Sequence, residues 1–205
     1  MQTKVNPTRI ELIRQKAKLK TMNNGYELLK KKRDGLMKEF IDIIREAKEL
    51  KDELNMEISS ALKYFIIASS EMRNKERKAA FAIPLRESSL TLRKKNIMGV
   101  EVPKFDLEEK GDFLCYSLIS TSINIDFGLS IFSRNLKGLI NLAEIENSAA
   151  RLAKEIEKTR REVNALEYVH IPNIQKTIKD IRSKLDERER ATKIVLMKSK
   201  EKIIS

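Results

Sequence analysis

The chain has 205 residues, of which 35% are charged and 5% are aromatic, and its formal net charge is +12. So few large aromatic side chains leave little to fill a wide core, which disfavours one compact globular domain. A narrow apolar seam between two helices suits this composition, because most positions of such helices face water. The single cysteine, Cys115, allows no intramolecular disulfide, which fits a reducing compartment.

The first predicted element is a long helix near the N-terminus. Asn6 is a good helix cap and Pro7 suits a first helical position, so we expect the helix to begin there. From residue 19 to 54, apolar residues recur at steps of three and four, as in a helix whose seam faces another helix. This seam comprises Leu19, Met22, Tyr26, Leu29, Leu36, Phe40, Ile43, Ala47, Leu50 and Leu54.

Two irregularities interrupt the first seam. Arg33 occupies a seam position, where a polar side chain usually lowers stability in exchange for a defined register. After Leu54 the spacing slips to four and four, through Ile58 and then through either Ala61 or Leu62. Such a stutter locally unwinds a supercoil, so we expect the pairing of the helices to change there.

The middle of the chain has the pattern of a β-hairpin. Apolar and polar residues alternate over 89–92, and a second extended run covers 97–102. We expect the polar residues 94–96 to form the turn between these strands. Residues 105–116 are predicted to be irregular, with Gly111 as a breaker. An isolated hairpin is only marginally stable, so it must lean on the helices or on a partner.

A second long helix is predicted after the helical period resumes around residues 117–123. Its seam comprises Leu142, Ile145, Ala149, Leu152, Ile156, Thr159, Val163, Leu166, Ile174, Ile178, Ile181, Leu185 and Val195. Pro172 removes one helical hydrogen bond and presses on the carbonyl of Tyr168, so we expect a kink there. We interpret His170, which falls near the seam, as a packing residue and not as a ligand or proton carrier.

Together these elements predict an all-α fold, a long antiparallel two-helix coiled coil with a hairpin-containing insert at one end. The expected segments are an N-terminal helix at 1–75, the insert at 76–118 and a C-terminal helix at 119–205. Helices of roughly 50 to 80 residues would reach ~75 to 120 Å at about 1.5 Å per residue, which predicts a rod.

Positive charge is concentrated towards both chain ends. Residues 1–33 carry ten Lys or Arg and two Glu, and residues 182–205 carry eight bases and four acids. An antiparallel hairpin would place both groups at the same tip. One interpretation is a nucleic-acid or other anionic partner. The other, which we favour, is a solvated face, because Lys alternates with Glu and no stacking aromatic residues accompany the basic run.

The sequence predicts no catalytic, cofactor-binding or metal site. It has one histidine, no Gly-rich phosphate loop, no cysteine pair and no nucleophile beside an evident base. No apolar run approaches the ~18 residues that span a bilayer, and the N-terminus lacks the apolar segment of a signal peptide. We therefore expect a soluble, cytosolic protein that is not an enzyme.

Several motifs resemble the D subunit, the central rotor shaft, of the V-type and A-type rotary ATPases. KTRREVNALE, at 158–167, is followed by YVHIP and then by TIKDIRSKLDERER at 177–190. NPTRIELIRQKAKLK, LLKKKRDGLMKEF and NIMGVEVP match the same family in the same order, so the resemblance covers essentially the whole chain. The sequence departs from the family at Glu162, which interrupts the basic motif, and over 124–129, which leaves the start of the second helix open.

The resemblance implies a non-catalytic central-stalk subunit that turns inside a hexamer of nucleotide-binding subunits and transmits torque to a membrane rotor ring. The implied partners are this hexamer, the small F subunit of the stalk and a funnel-shaped subunit that links the shaft to the ring. The implied location is the soluble sector of the complex, peripheral to the membrane, with no nucleic acid bound. The sequence leaves open whether protons or sodium ions are transported and whether ATP is mainly made or hydrolysed.

The alternative is a basic coiled-coil adaptor or nucleic-acid-binding rod without a rotary role, which explains the charge and periodicity but not the ordered motifs. Under the family interpretation, the candidate contacts with the hexamer are Arg160, Arg161, Arg14, Lys18, Arg188 and Arg190. For the arginine pair the alternative is an ordinary solvated position beside the seam. The candidate contacts of the insert, with a partner left open, are Ile97, Met98, Val100 and Val102.

Overall fold

The structure, a computed structural model, describes residues 6–80, 82, 86–111 and 121–204, with side chains for all of these except 79, 80 and 201–204. Its elements are α1 (Arg9–Glu71), α2 (Asn74–Ala80), β1 (Glu87–Ile97), β2 (Val100–Lys110), α3 (Ile123–Ala165), a π-helical segment (Leu166–His170) and α4 (Ile171–Ile204). Two long paired helices with one inserted hairpin confirm the predicted fold class. The chain divides into a terminal unit, Met1–Asp34 with Ile156–Ser205, and a central unit, Gly35–Glu155.

Helix α1 is capped by Thr8. The Thr8 hydroxyl accepts a hydrogen bond from the backbone N–H of Glu11 at 3.2 Å, and the Thr8 carbonyl accepts one from Leu12 at 3.0 Å. A threonine three positions before a glutamate is the sequence of a capping box. The prediction that Asn6 caps the helix and Pro7 opens it is therefore wrong by two residues. The Asn6 carbonyl instead accepts a hydrogen bond from the Thr8 N–H, in the turn before the helix.

In the terminal unit the start of α1 lies antiparallel to α4. Arg9 pairs with Glu189 at 2.7 Å, and the predicted seam positions of both helices are buried or half-buried as far as Leu185. The prediction that Val195 belongs to the seam is wrong, because Val195 is 63% exposed. It lies more than one helical turn beyond Glu189, where the described part of α1 provides no further turn to cover it.

In the central unit the rest of α1 lies antiparallel to α3. Lys51 approaches Glu146 at 3.5 Å, and all the predicted seam residues of α1 in this unit are buried or half-buried. At the stutter, Ala61 is 4% exposed and Leu62 is 55% exposed, so Ala61 continues the seam. Small residues bring the backbones together here: a Cβ at Gly128 would lie 3.2 Å from the Ala61 carbonyl oxygen.

Arg33, which interrupts the first seam, is half-buried in the terminal unit. Its guanidinium binds the carboxylate of the next residue, Asp34, at 2.7 Å. The charge is thus neutralised by a neighbour on the same helix. An isolated pair of this kind, more than a quarter exposed, contributes little to stability.

The hairpin turn lies at Met98 and Gly99, not at residues 94–96 as predicted. The two turn residues have φ angles of 50° and 87°, which is the mirror-image geometry that suits the twist of a two-residue hairpin. Glycine accepts a positive φ readily, and the Gly99 N–H donates to the Asn96 side chain at 2.8 Å. The polarity of 94–96 was a misleading signal, because these residues belong to an exposed strand.

Strand β2 is longer than the sequence predicted. Residues 105–110, expected to be irregular, continue the ladder without a bulge until Lys110 pairs with Glu87. Gly111, with a φ of 92°, then ends the strand as a breaker. Residues 112–116, including Cys115, and the expected restart of the helix at 117 lie outside the described residues, and α3 begins at Ile123.

The π-helical segment lies directly before Pro172. The backbone N–H of Ile171 donates to the Leu166 carbonyl, five residues earlier, and no residue of the segment is buried. The prediction that His170 packs in the seam is wrong: it is exposed, because the wider turn shifts the helical phase of these residues. The kink expected at Pro172 stays a prediction.

Candidate protein-contact surfaces

The six basic residues proposed as contacts are all exposed and all lie in the terminal unit. Arg161 pairs with Glu157 one turn earlier, and Arg14 lies 3.9 Å from Glu11. The part of the chain that the structure describes supplies no ion pair or hydrogen bond to three of the six, which are Lys18, Arg160 and Arg190. Their charges therefore remain available to another molecule.

Arg188, the sixth of these residues, helps to close the terminal unit. Its guanidinium donates to the Pro7 carbonyl at 3.1 Å, beside the pair that Arg9 forms with Glu189. The hydrogen bond and the positive charge of Arg9 lower the pKa of Glu189 below its ordinary value. Arg188 thus holds the N-terminal segment, a role that the sequence did not reveal.

The four residues proposed as contacts of the insert differ in exposure. Met98, in the turn, is 46% exposed, whereas Ile97 and Val100 are half-buried and Val102 is 2% exposed. The Met98 methyl group lies so near α1 that a Cβ added at Gly35 would be 2.6 Å from it. Met98 is therefore the most accessible of the four, and Val102 serves to seat the hairpin in the central unit.

Side chains of the central unit fix β2 in place along its length. Arg151 donates to the Glu101 carbonyl at 3.0 Å, and Glu144 accepts the Phe105 N–H at 2.8 Å. At the base of the hairpin, Arg86 binds both a serine of α3 and a glutamate of β2. The insert is thus anchored through β2.

An apolar surface covers the region where α1 ends and α3 begins. We call it the apolar end surface, and its residues are Met56, Leu62, Tyr64, Phe65, Ile66, Ile67, Ile123, Phe127 and Phe132, each 37% or more exposed. The rings of Tyr64 and Phe127 lie 5.9 Å apart, so exposed apolar side chains of α1 and α3 meet on this surface. Exposed apolar clusters of this kind mark contacts with other proteins.

Sequence reasoning did not identify this surface. By length alone the apolar run 64–68, YFIIA, indicates only that it is too short to span a membrane. The signal that could have revealed it is an excess of apolar residues. A two-helix seam uses two or three positions in seven. Here almost every position of a turn and a half is apolar, namely Leu62, Tyr64, Phe65, Ile66 and Ile67.

A second apolar group lies in the terminal unit. Its members, Ile10, Ile13, Ile194, Val195, Leu196 and Met197, are all more than half exposed. Lysines flank the C-terminal run on both sides. This end of α4 therefore combines apolar contact area with positive charge.

Glu57 forms a polar cluster beside the central seam. It accepts hydrogen bonds from the buried Asn135 side chain and from Arg134, the latter at 3.2 Å. These hydrogen bonds lower the pKa of Glu57, and the bond from Asn135 has the largest effect. The pKa of Glu101 in the hairpin is lowered in the same way by the hydrogen bond from Lys94.

The described side chains include no group of three or more His, Cys, Asp or Glu that could hold a metal ion. Within the same residues, no helix is both long enough and apolar enough to cross a membrane. The features that the geometry does provide are a helical seam, a seated hairpin and exposed apolar and basic surfaces. These define a coiled-coil protein that is built to contact other proteins.

Comparison with known proteins agrees with this class. A family described as the D subunit of ATP synthase matches residues 11–201. The D subunit of the V-type ATP synthase of Fusobacterium nucleatum is 46% identical over 201 residues, which cover 97% of this chain and 95% of that one. The corresponding protein of Clostridioides difficile is 45% identical, over 98% of this chain and 91% of that one, and that of a Thermoanaerobacter species is 41% identical, over 98% and 97%. The chain belongs to the family of ATP synthase D subunits.

Proposed function

We propose that this chain is the central rotor shaft of a V-type ATP synthase and transmits torque between a nucleotide-binding hexamer and a membrane rotor ring. The observation that carries the proposal is the family match over nearly the whole chain, together with the paired helices that run through both units. The shaft itself is non-catalytic: ATP is made or hydrolysed in the hexamer.

The polar surface of the terminal unit supports its role as a rotating subunit. A shaft must not be committed to one angle, and deep apolar docking against the hexamer would hold it there. Most positions of α3 and α4 in the terminal unit are charged or polar and exposed, and the free cations Lys18, Arg160 and Arg190 act over long range without a fixed partner. We assign the terminal unit to the interior of the hexamer.

The central unit is assigned to the side of the membrane ring. The apolar end surface fits the funnel-shaped subunit that links shaft and ring, since it offers apolar area on both α1 and α3. The small F subunit of the stalk would bind the remaining helical faces. This arrangement places the protein in the soluble sector of the complex, peripheral to the membrane.

A disulfide between shaft and hexamer tests the rotary role. Ser199, exposed near the end of α4, is changed to Cys and paired with a cysteine on the surrounding hexamer, after Cys115→Ser has removed the native thiol. A shaft fixed to the stator cannot complete a revolution, so ATP turnover should stop when the bond closes and return on reduction. A static scaffold would lose nothing.

The matched control places the cysteine at the exposed Lys158, further along the terminal unit. If turnover continues with the Ser199 bond closed but stops with the Lys158 bond closed, the tip slips within its helix and the shaft still turns. Full turnover in both variants, each with its bond closed, would contradict the rotary role.

A further inference from the structure

In the hairpin of the central unit, side chains of the same chain block the outer edge of β2. On β2, the outward carbonyl of Glu101 accepts from Arg151 and the outward N–H of Phe105 donates to Glu144. Pro103, between them, has no N–H to offer. Three successive outward positions of β2 are therefore engaged or lack a donor, and no other strand can pair there.

The register shows which groups of β1 point away from β2. Pro103 lies opposite Lys94, and Phe105 lies opposite Leu92. Neither pair exchanges hydrogen bonds, because proline has no N–H and the Phe105 N–H is bound to Glu144. Bonded and non-bonded pairs alternate along an antiparallel ladder. The residues of β1 whose backbone groups point outward are therefore Ser88, Leu90, Leu92, Lys94 and Asn96.

Among the described residues, nothing pairs with this outer edge of β1. Every residue from Glu87 to Asn96 is exposed, and the ladder has no bulge. The stretch 88–92 has neither a charge nor a proline, and Leu90 and Leu92 are 53% and 58% exposed. Natural edges are blunted by charges, proline, bulges or a covering segment. Within the part of the chain that the structure describes, the stretch 88–92 has none of these.

We propose that β1 is a strand-addition site for an extended segment of another protein, with apolar residues beside Leu90 and Leu92 and acidic residues beside Arg93 and Lys95. Side chains alternate between the two faces of a strand, so the leucines lie on one face and the two cations on the other. An added strand would bond to the outward backbone groups and be selected by both faces.

The charge pattern determines the chemistry of the partner. Arg93 is paired with Asp106 but its side chain is still 73% exposed. Lys95 has no ion pair in the part of the hairpin that the structure describes. Both cations lie on the same face of β1, so carboxylates on the neighbouring strand would neutralise them, whereas a basic segment would be repelled.

Amide hydrogen exchange tests the proposal, measured residue by residue on the isolated chain and on the purified ATP synthase complex. In the isolated chain the outward amides of Leu90, Leu92 and Lys94 should exchange fast, while the inward amides of Thr91 and Arg93 are protected. In the complex the outward amides should slow on the order of 100-fold, because each gains a hydrogen bond.

A proline variant separates strand addition from simple coverage. Lys94→Pro removes one outward N–H but no bond to β2, and Lys94→Ala removes the same side chain while keeping that N–H. In the complex, Lys94→Pro should abolish the protection of Leu90 and Leu92, and Lys94→Ala should retain it. If fast exchange of the inward Arg93 amide shows that Lys94→Pro unfolds the hairpin, Leu90→Lys, which keeps every N–H, should weaken the protection instead.

Three results would overturn the proposal. Outward amides that still exchange fast in the complex would show that no strand is added. Protection that survives Lys94→Pro would show that a partner covers the hairpin without pairing with β1. Protection already present in the isolated chain would assign the edge to this chain itself, or to a second copy if it rises with concentration. All three leave the proposed shaft function standing, because assembly and turnover test that function separately.

Discussion

At the scale of single residues, the tolerance for added atoms differs sharply between glycines on the long helices. A Cβ at Gly25 would meet nothing within 4 Å, whereas one at Gly138 would lie 2.9 Å from Cδ2 of Leu54. Leu54 is only 4% exposed, so moving its side chain aside would disturb the packed seam around it. The close packing of Leu54 therefore favours glycine at 138, whereas no neighbour does so at 25.

Alanine at these two positions should shift stability in opposite directions. Gly25→Ala should raise the free energy of unfolding by about 0.5–1 kcal/mol, through helix propensity alone. Gly138→Ala should lower it by about 1–2 kcal/mol, because overpacking exceeds the same propensity gain. Urea unfolding measures both. The double variant Gly138→Ala with Leu54→Val should lose less stability than the sum of the losses in the two single variants. Strictly additive losses would contradict the contact between the two positions.

The Glu57 cluster predicts an acid dependence of stability. The folded pKa of Glu57 lies below its ordinary value of 4.5. Its contribution is thus fully present above pH 4.5 and is lost as the pH falls through the lower folded pKa. The stability difference between the wild type and Glu57→Gln should be largest at pH 6–7 and shrink at more acidic pH, as urea unfolding at several pH values will show. A difference that grows on acidification would refute this sign, and Glu49→Gln, an exposed change on the same helix, is the control.

At the scale of elements, the π-helical segment and Pro172 belong together. A proline inside a helix removes a hydrogen bond and crowds the preceding turn, and a wider turn directly before it relieves that crowding. The exposure of Tyr168, Val169 and His170 follows from the same change of helical phase. The segment is thus an adaptation of the backbone to one residue.

Replacing that proline should restore a regular helix. Pro172→Ala should raise the free energy of unfolding, by up to about 3 kcal/mol, and remove the kink that we expect Pro172 to cause. Spin labels at the exposed Lys158 and Lys179 should then lie further apart than in the wild type, as pulsed electron resonance measures. Asn173→Ala, the neighbouring exposed change, should leave that distance as it is. An unchanged distance in the proline variant would mean that Pro172 does not bend the helix.

At the scale of the whole molecule, the two units carry different kinds of surface. The terminal unit combines free cations with a short apolar run, and the central unit carries the apolar end surface and the anchored hairpin. The proposed shaft would use such a division, because the terminal unit would turn within the hexamer and the central unit would hold the funnel-shaped subunit firmly.

A charge placed in the apolar end surface should uncouple ATP hydrolysis from ion transport. Ile66 is 67% exposed, so Ile66→Glu leaves the fold intact but disfavours apolar docking. The assembled hexamer should keep its ATP hydrolysis while ion transport falls and the funnel-shaped subunit is lost on purification. Lys63→Glu, a charge change beside it, should retain that subunit. Coupled transport in the Ile66 variant would remove this surface from the proposed docking role.

The sequence by itself determined the two seams, since periodicity at steps of three and four depends only on the order of residues along each helix. It also determined that a hairpin follows the first helix, and the ordered motifs pointed to the right family. The tertiary structure decided the rest. Val195 is exposed because the described part of α1 ends its pairing at Arg9, and Ala61 replaces Leu62 because the backbones approach at Gly128. The open edge of β1 exists because Arg151 and Glu144 reach β2 from elsewhere in the chain, a contact that no local pattern encodes.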